Sequence, residues 1–371
     1  MTGSFRRTAF HWTTVLPVLA ILAFLASFGR ELPGFGVTIV ALLLGGAVLA
    51  SVHHAEVIAH RVGEPFGSLV LAVAVTIIEV ALIVSVMAGG DDKSATLARD
   101  TVFAAVMITC NGIVGLCLLS AALRRRVAIF NPEGTGAALA TVATLATLSL
   151  VLPTFTTSHP GPQFSTAQLT FAALASLALY GLFVAVQTVR HRDYFLPITT
   201  ADEGAGEVVE SEEHHADPPS NKQVVLSLGL LLVALVAVVG DAKAVSPTIE
   251  RVVQDAGMPH SVVGVVIALM VLLPETLAAV RAARRDRTQT SLNLAYGSAM
   301  ASIGLTIPAI AIASIWMTGP LVLGLGATQM VLLGLTVVTG IITIVPGRAT
   351  LLHAGVHLSI FASFVFLAMS P

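Results

Sequence analysis

The sequence predicts an all-α polytopic membrane protein with about 11 transmembrane helices, arranged as two inverted five-helix repeats plus an extra N-terminal helix. Three observations support this prediction. The 371-residue chain is 56% hydrophobic and only 11% charged, whereas soluble domains carry about 25% charged residues. Its mean hydropathy is +0.90. Apolar stretches recur along the whole chain, and two of them resemble each other.

The apolar stretches divide into eleven candidate spans, because a helix needs about 20 apolar residues to cross the hydrocarbon of a bilayer. The second and seventh spans are long and become polar at one end, so we expect them to tilt or to extend into water. We expect the first span to be retained, since no small-residue cleavage pattern follows it. The spans cover roughly residues 10–28, 34–60, 65–88, 99–122, 135–154, 166–189, 222–250, 259–281, 288–314, 319–345 and 348–369.

The charges between the spans predict the orientation of the chain. An internal N-terminus places 14 lysines and arginines on the inner side and 5 on the outer side, which accounts for all 19. Because cytoplasmic loops carry an excess of these residues, we expect the N-terminus inside and the C-terminus outside. The five cations on the predicted outer side are Arg30, Lys93, Arg99, Lys243 and Arg251.

One polar segment interrupts the apolar pattern and predicts how the chain is organised. Between residues 201 and 221 the chain carries seven carboxylates and two histidines. Repulsion between like charges favours a solvated, disordered linker; a cation-collecting or regulatory loop is the alternative. The predicted segments are an N-terminal transmembrane helix at 1–30, a first five-helix repeat at 31–195, an acidic cytoplasmic loop at 196–221 and a second five-helix repeat at 222–371.

Two glutamates stand alone in the most apolar stretches. Glu79 is the only charged residue in 65–89, and Glu275 is the only one in 259–280. An ionised carboxylate at the centre of a bilayer costs about 2.5 kcal/mol or more, so an acid retained at that depth is typical of a binding site. We therefore predict that Glu79 and Glu275 bind a metal cation and protons.

The surroundings of the two glutamates match each other. Gly63-Glu64-Pro65 precedes the first apolar helix and Gly257-Met258-Pro259 precedes the second, and an acid lies seven residues before each glycine, at Glu56 and Glu250. By the span count the two copies enter the membrane from opposite sides. Inverted repeats with interrupted helices are typical of secondary transporters with a site near the midplane. Glu56 and Glu250 are candidates for the access pathway, with water-exposed interfacial acids as the alternative.

Further oxygen ligands can be predicted around the two glutamates. Pro274, directly before Glu275, has no N–H, so the helix must kink or break and leave carbonyl oxygens free. A kink relieved by neighbouring helices is the alternative. Hard cations prefer oxygen ligands. The neutral candidates, whose alternative role is hydrogen bonding between helices, are Thr76, Asn111, Ser298, Ser302 and Thr306.

Several other classes of site are not expected from the sequence. Cys110 and Cys117 lie in one apolar segment without a CxxC pair, so we expect neither a disulfide nor a thiolate metal site. The chain has no HExxH, no P-loop and no nucleophile with an adjacent base, which are the usual signs of hydrolytic or phosphate chemistry. We therefore expect a transporter without a cofactor, and neither an enzyme nor a channel.

The residues around the two acids resemble the repeats of the cation/Ca²⁺ exchanger superfamily, and within it the bacterial ChaA-type calcium/sodium–proton antiporters. The resemblance runs over nearly the whole chain. It implies ten core helices in two inverted bundles of five plus an extra N-terminal helix, in a bacterial cytoplasmic (inner) membrane. It is carried by residues 63–71, Glu79, Arg99-Asp100-Thr101, Pro274-Glu275, Asn293-Leu294, Gly297-Ser298 and residues 304–308.

The chain departs from this family beside both acids. Many relatives carry Gly-Asn just ahead of the glutamate, where this chain has Ile77-Ile78 and Leu273-Pro274. Ala301 stands where relatives with proton-coupled Ca²⁺ activity often have Gln. The site therefore offers few amide ligands, and the choice among Ca²⁺, Na⁺ and K⁺ stays open.

The expected function is a secondary active antiporter that exchanges cytoplasmic Ca²⁺, and also Na⁺ or K⁺, for protons by alternating access. Two carboxylates with a charge of −2 neutralise one Ca²⁺, and protons compete for the same oxygens as a coupled pair. The expected partners are membrane lipid, the transported cations and protons, with no nucleic acid. The alternatives are a Na⁺(K⁺)/H⁺ antiporter with little Ca²⁺ activity and a Na⁺/Ca²⁺ exchanger of the same fold.

Overall fold

The computed structural model describes residues 11–30, 32–63, 66–87, 95–196, 219–316 and 319–370. Most of the predicted acidic loop lies outside these ranges, as do Glu64 and Pro65. The elements in chain order are α1 (Trp12–Ser27), α2 (Gly34–Val62), α3 (Phe66–Met87), α4 (Leu97–Met107), α5 (Val114–Arg125), β1 (Val127–Ile129), α6 (Pro132–Ala146), α7 (Thr166–Ala185), α8 (Asn221–Asp255), α9 (Ser261–Val271), α10 (Leu273–Arg284), α11 (Thr288–Gly304), α12 (Thr306–Ala313), α13 (Ala327–Ile344), β2 (Arg348–Thr350) and α14 (Leu351–Met369).

The helices confirm an all-α polytopic membrane protein. Within the described ranges, eight helical segments are long and apolar enough to cross a membrane, and the bent pair α9 and α10 makes a ninth when it is taken as one span. Two shorter apolar helices, α1 and Val73–Val84 within α3, lie at the two remaining predicted spans. Helix α3 as a whole has 22 residues, enough for a crossing, whereas α1 has 16, fewer than a full crossing requires. The count of eleven spans therefore stays a prediction.

Two predicted spans differ from the helices that form there. The span predicted at 319–345 becomes helical only at α13, and the residues before it run without regular secondary structure. There Val322 N–H donates to the Ala95 carbonyl at 3.0 Å and Leu325 N–H donates to the Leu150 carbonyl at 2.8 Å. Because glycine and proline are frequent in 319–326, the backbone turns to these partners rather than to a helix. The span predicted at 288–314 is divided at Leu305 into α11 and α12.

The N-terminal helix α1 is anchored against α2 and α8. The His54 ring on α2 lies 2.9 Å from the Thr13 carbonyl through Nε2 and 3.3 Å from the Ser227 hydroxyl through Nδ1. Because a carbonyl only accepts, Nε2 carries the proton and Nδ1 accepts from Ser227. Gly240 on α8 lets the Phe24 ring pack on its backbone, since an added Cβ would lie 2.2 Å from that ring. These contacts bind three helices into one unit.

The central helix of the second half is α11. It packs against α3, α6, α7 and α10, and its Tyr296, Ala299, Met300 and Ile303 are at most 1% exposed. Residues four apart share a helix face, so Ser298 and Ser302 point to the same neighbours. This helix therefore fixes the positions of both serines relative to the glutamates on α3 and α10.

A short ladder joins the two halves of the chain at one end of the helices. Strand β1 pairs antiparallel with β2, with Val127 opposite Thr350 and Ile129 opposite Arg348. The adjoining helices α5 and α14 pack against each other. The ladder is the sole sheet in the part of the chain that is described, so it does not alter the all-α class.

Candidate functional site

A cavity of ≈ 220 Å³ lies between α3, α7, α10 and α11, and both Glu79 and Glu275 line it. The structure thus brings together the two acids that stood alone in the sequence, although they are 196 positions apart. The walls are mostly apolar. The polar side chains that line the cavity are Thr76, Glu79, Tyr180, Gln187, Glu275, Thr290, Asn293, Ser298 and Ser302.

Glu79 occupies the middle of the continuous helix α3 and is 2% exposed. Its Oε2 accepts a hydrogen bond from the Ser302 hydroxyl at 3.0 Å, whereas Oε1 is buried without a partner. Thr76, one turn earlier on α3, is also buried and lines the cavity. The Thr306 hydroxyl approaches Glu79 but completes no hydrogen bond. One carboxylate oxygen of Glu79 and the hydroxyl of Thr76 therefore face the cavity and remain free to serve a ligand.

Glu275 has a different backbone setting. Helices α9 and α10 meet at an angle of 52°, and Pro274 lies in the first turn of α10. The predicted break is therefore confirmed. Pro274 supplies no N–H to the carbonyl of Met270, four residues earlier. Glu275 lies in that same first turn, where the free N–H groups of a helix favour negative charge. Its Oε2 is buried without a partner.

The cavity follows one face of α11 from the glutamates toward the start of that helix. Ser302 and Ser298 lie beside the acids, and Thr290 lies twelve residues before Ser302, a distance of about 18 Å at 1.5 Å per residue. Gln187, at the end of the span that contains α7, also lines the cavity. The cavity therefore extends toward the side on which α11 begins.

The structure does not bring Asn111 to this cavity. Its amide nitrogen donates to the Thr336 hydroxyl at 2.9 Å, and its carbonyl oxygen lies 3.3 Å from His357 Nδ1. Asn111 sits in a widened turn, Ile108–Ile113, between α4 and α5. Because both ends of its amide are engaged by α13 and α14, hydrogen bonding between helices replaces the cation-binding role predicted for it.

The two acids predicted for the access pathway also lie outside the cavity lining. Glu56 is exposed on α2 and lies close enough to Arg281 and Glu275 for electrostatic interaction. Glu250 accepts a hydrogen bond at 2.9 Å from Ser246, one turn away on α8. The structure therefore relates Glu56 to the second acid of the pair, and it engages Glu250 within its own helix.

Sequence reasoning missed one buried acid. Asp241 on α8 is fully buried, and neither carboxylate oxygen has a hydrogen-bond partner. The signal was the same as for Glu79, a charge inside an apolar stretch. Lys243 two positions later obscured it, because the stretch then reads as the polar end of a long span. Asp241 does not line the cavity.

Other lining residues were missed because polar side chains near a span end are common. Gln187 and Thr290 are partly buried and contribute neutral oxygens to the cavity. The side chain of Asn293 is already engaged: its amide donates to the Phe195 carbonyl at 2.7 Å, and its oxygen accepts from Gln289 at 2.9 Å. Asn293 therefore shapes the wall rather than offering a free ligand.

The ligand set available at the cavity is two carboxylates with hydroxyls. Within the described ranges, no three His, Cys, Asp or Glu side chains come together in a group that could hold a metal ion. Cys110 and Cys117 are buried free thiols. A hard cation between Glu79 and Glu275 would complete its shell with hydroxyl, carbonyl and water oxygens.

The sequence is similar to those of known or provisionally described ion transporters over nearly its full length. A y4hA protein of Sinorhizobium fredii, described only provisionally as an ionic transporter, is 45% identical over 367 residues, or 97% of this chain and 96% of the relative. The sodium-potassium/proton antiporter ChaA of Escherichia coli is 32% identical over 354 residues, or 95% and 94%.

The fold likeness extends to more distant solved structures. The H⁺/Ca²⁺ exchanger CAX superposes with a TM-score of 0.66 at 16% identity, covering 98% of this chain and 92% of CAX. The family model for the sodium/calcium exchanger protein matches residues 31–189 and 226–370. Together these matches cover both halves of the chain, which belongs to the sodium/calcium exchanger family.

Proposed function

We propose that this protein is a secondary active antiporter that exchanges cytoplasmic Ca²⁺ for protons, with Glu79 and Glu275 as the shared cation and proton site. The observation that carries the proposal is the convergence of these two acids on one cavity, each with a buried oxygen that has no partner. Such oxygens are costly to leave unpaired. A bound cation or proton would satisfy them.

The exchange follows from competition for the same oxygens. Two ionised carboxylates neutralise one Ca²⁺, and two protons neutralise the same pair. Burial of an ionised carboxylate without either partner is strongly unfavourable, so the empty charged site does not cross the barrier. Only a site that holds Ca²⁺ or protons passes between the inward-facing and outward-facing states. Cation movement in one direction is therefore coupled to proton movement in the other.

The side toward which the cavity extends supports an inward-facing state of the transporter. Thr290 and Gln187 lie near the ends of their spans that the charge distribution predicts to be cytoplasmic. On that orientation the cavity faces inward, in the cytoplasmic membrane of a bacterium. Glu56, near Arg281 and Glu275, would lie on the same approach and would attract cations toward the pair.

A second candidate cargo has its own support. The relative at 32% identity is a sodium-potassium/proton antiporter, and the cavity lining holds few amide oxygens. A Na⁺(K⁺)/H⁺ antiporter would use the same two carboxylates with one of them protonated. The mechanism of competition is unchanged, and only the number of charges per cycle differs.

The test uses inverted membrane vesicles with an acid interior and a quenched pH dye. Ca²⁺, Na⁺ and K⁺ are added in turn to vesicles with the wild type, Glu79→Gln, or Glu133→Gln, a control at an exposed acid on α6. We expect Ca²⁺ to restore fluorescence in wild type and Glu133→Gln only. A response to Na⁺ or K⁺ alone would select the second cargo. No response to any of the three would reject proton coupling and favour a sodium-driven exchanger.

A further inference from the structure

A second cavity shares no lining residue with the cavity of the acid pair and differs from it in charge. It has a volume of ≈ 690 Å³ and is formed by the end of α1, the connection to α2 and one stripe of α8. Three cations line it, namely Arg30, Lys243 and Arg251, and none of its described lining residues is acidic. Its electrostatic character is therefore opposite to that of the transport cavity.

The three cations are available for a ligand. The described ion pairs are Arg99 with Asp100 and Arg125 with Asp286, so the cavity cations take part in neither. Arg251 donates to the Pro247 carbonyl at 3.2 Å and to the Thr248 hydroxyl at 3.2 Å, contacts that hold its guanidinium along α8. Those bonds use Nε and one terminal nitrogen and leave further N–H donors free.

The position of these cations is unusual for a membrane protein. Only five of the 19 lysines and arginines fall on the predicted outer side, and three of the five line this one cavity. On α8 the lining residues recur at helical spacing, so Lys243 and Arg251 lie on one face two turns apart. A concentration of positive charge on the side that usually lacks it indicates an anionic partner.

The cavity cannot serve the transported cation, because three positive charges would repel it. Its apolar wall narrows the choice of anion. Phe24, Phe28, Leu32 and Val37 line the cavity beside the cations, and Phe28 is 72% exposed. A ligand that matches both parts has a phosphate for the cations and a hydrocarbon chain for the rings and aliphatic side chains. Basic pockets between transmembrane helices on the cytoplasmic side bind lipid head groups in this way, and the same charge and chain chemistry applies to a basic pocket at the outer end.

We propose that the cavity between α1 and α8 binds an anionic phospholipid, with its phosphate held by Arg30, Lys243 and Arg251 and its acyl chains against Phe24 and Phe28. The bound lipid would join the N-terminal helix to α8 at the end opposite the His54 contact. This inference does not depend on which cation the protein transports.

The test measures binding to full-length, delipidated protein in detergent. Native mass spectrometry and thermal unfolding are recorded with phosphatidylglycerol, phosphatidylcholine or inorganic phosphate. The variants are the wild type, the triple variant Arg30→Gln/Lys243→Gln/Arg251→Gln, and the matched control Lys222→Gln, an exposed cation at the other end of α8. We expect phosphatidylglycerol to remain bound to wild type and control and to raise their unfolding midpoints, with at least a tenfold weaker apparent affinity in the triple variant.

Two results would overturn the proposal. One is equal retention of phosphatidylglycerol by the triple variant and the wild type. The other is stabilisation by inorganic phosphate equal to that by the lipid, which would identify a soluble anion as the ligand. Should the triple variant fail to insert, Lys243→Gln alone supplies the same comparison, with a partial loss of affinity expected and an unchanged affinity as the contradicting result.

Discussion

The two acids of the cavity have the same chemistry but different backbones. Glu79 lies within the continuous helix α3 and receives a hydrogen bond from Ser302. Glu275 lies at the start of α10, after a 52° bend at Pro274. The first acid therefore relies on a side chain from the other half of the chain, whereas the second relies on the N–H groups at the start of its helix.

This difference shows that a repeated sequence pattern need not produce two equal half-sites. The two acids obtain their hydrogen-bond donors from different sources, so substitutions around them should have unequal effects, although loss of either acid should be severe.

Removal of either acid should have the largest effect. Glu79→Gln and Glu275→Gln each remove one of the two carboxylates that would neutralise the bound cation, and loss of one partner of a buried pair of opposite charges costs about 2 kcal/mol or more. We expect proton-coupled cation flux in vesicles to fall at least about thirtyfold in each, since 1.4 kcal/mol is a factor of ten. Protein levels in the membrane should match the Glu133→Gln control. A variant that leaks cations without proton coupling would contradict the shared-site mechanism.

The next largest effect is expected at Ser302, and it should exceed the effect of the same substitution at Ser298. Ser302→Ala removes the hydroxyl that donates to Glu79 at 3.0 Å, and a hydrogen bond to a charged group contributes about 1.5 kcal/mol or more. We expect the apparent cation affinity, measured from the concentration dependence of dye recovery, to fall about tenfold. Ser298→Ala is the matched control, because Ser298 lines the same cavity without that bond. Equal effects of the two variants would mean that the contact with Glu79 is not what matters.

A smaller effect is expected from straightening the bend. Pro274→Ala restores the missing N–H, which can then bond to the Met270 carbonyl. If that oxygen serves the cation, its loss should weaken apparent cation affinity about threefold, on the scale of one neutral hydrogen bond. Pro17→Ala, at the proline inside α1, is the control and should leave affinity unchanged. Unaltered affinity in Pro274→Ala would show that the bend shapes the helix without supplying a ligand.

The smallest effect on transport is expected at Asp241. Both its oxygens are buried without partners, and it lines no part of the transport cavity. Asp241→Asn replaces an ionisable group by a neutral one of the same shape, so transport should stay within about twofold of wild type. The thermal unfolding midpoint should rise, since an unpaired buried charge is unfavourable. Loss of transport in this variant would place Asp241 in the proton route.

The features that follow from local chemistry were predictable. A lone acid in an apolar stretch indicated Glu79 and Glu275, and the missing N–H of Pro274 indicated the break between α9 and α10. The features that depend on distant partners were not. Asn111 offered the right oxygen, but its partners Thr336 and His357 lie 225 and 246 positions away, and no spacing along the chain reveals them.

The same limit applies to the spans. Residues 319–326 are apolar enough to be assigned to a span, but their backbone groups pair with Ala95, Pro162 and Leu150, which are distant in sequence. The hidden acid Asp241 is a different case, because its signal was present and was masked by the neighbouring Lys243. A search for acids alone within long spans, without regard to nearby cations, would have found it.

The ladder between β1 and β2 has a mechanical consequence. It hydrogen-bonds the residues that follow α5 to those that precede α14, and so it ties the first half of the chain to the second at one rim of the membrane domain. The two halves cannot part at this seam without breaking backbone hydrogen bonds. Any relative motion that preserves these hydrogen bonds must therefore move the end of α5 and the start of α14 together.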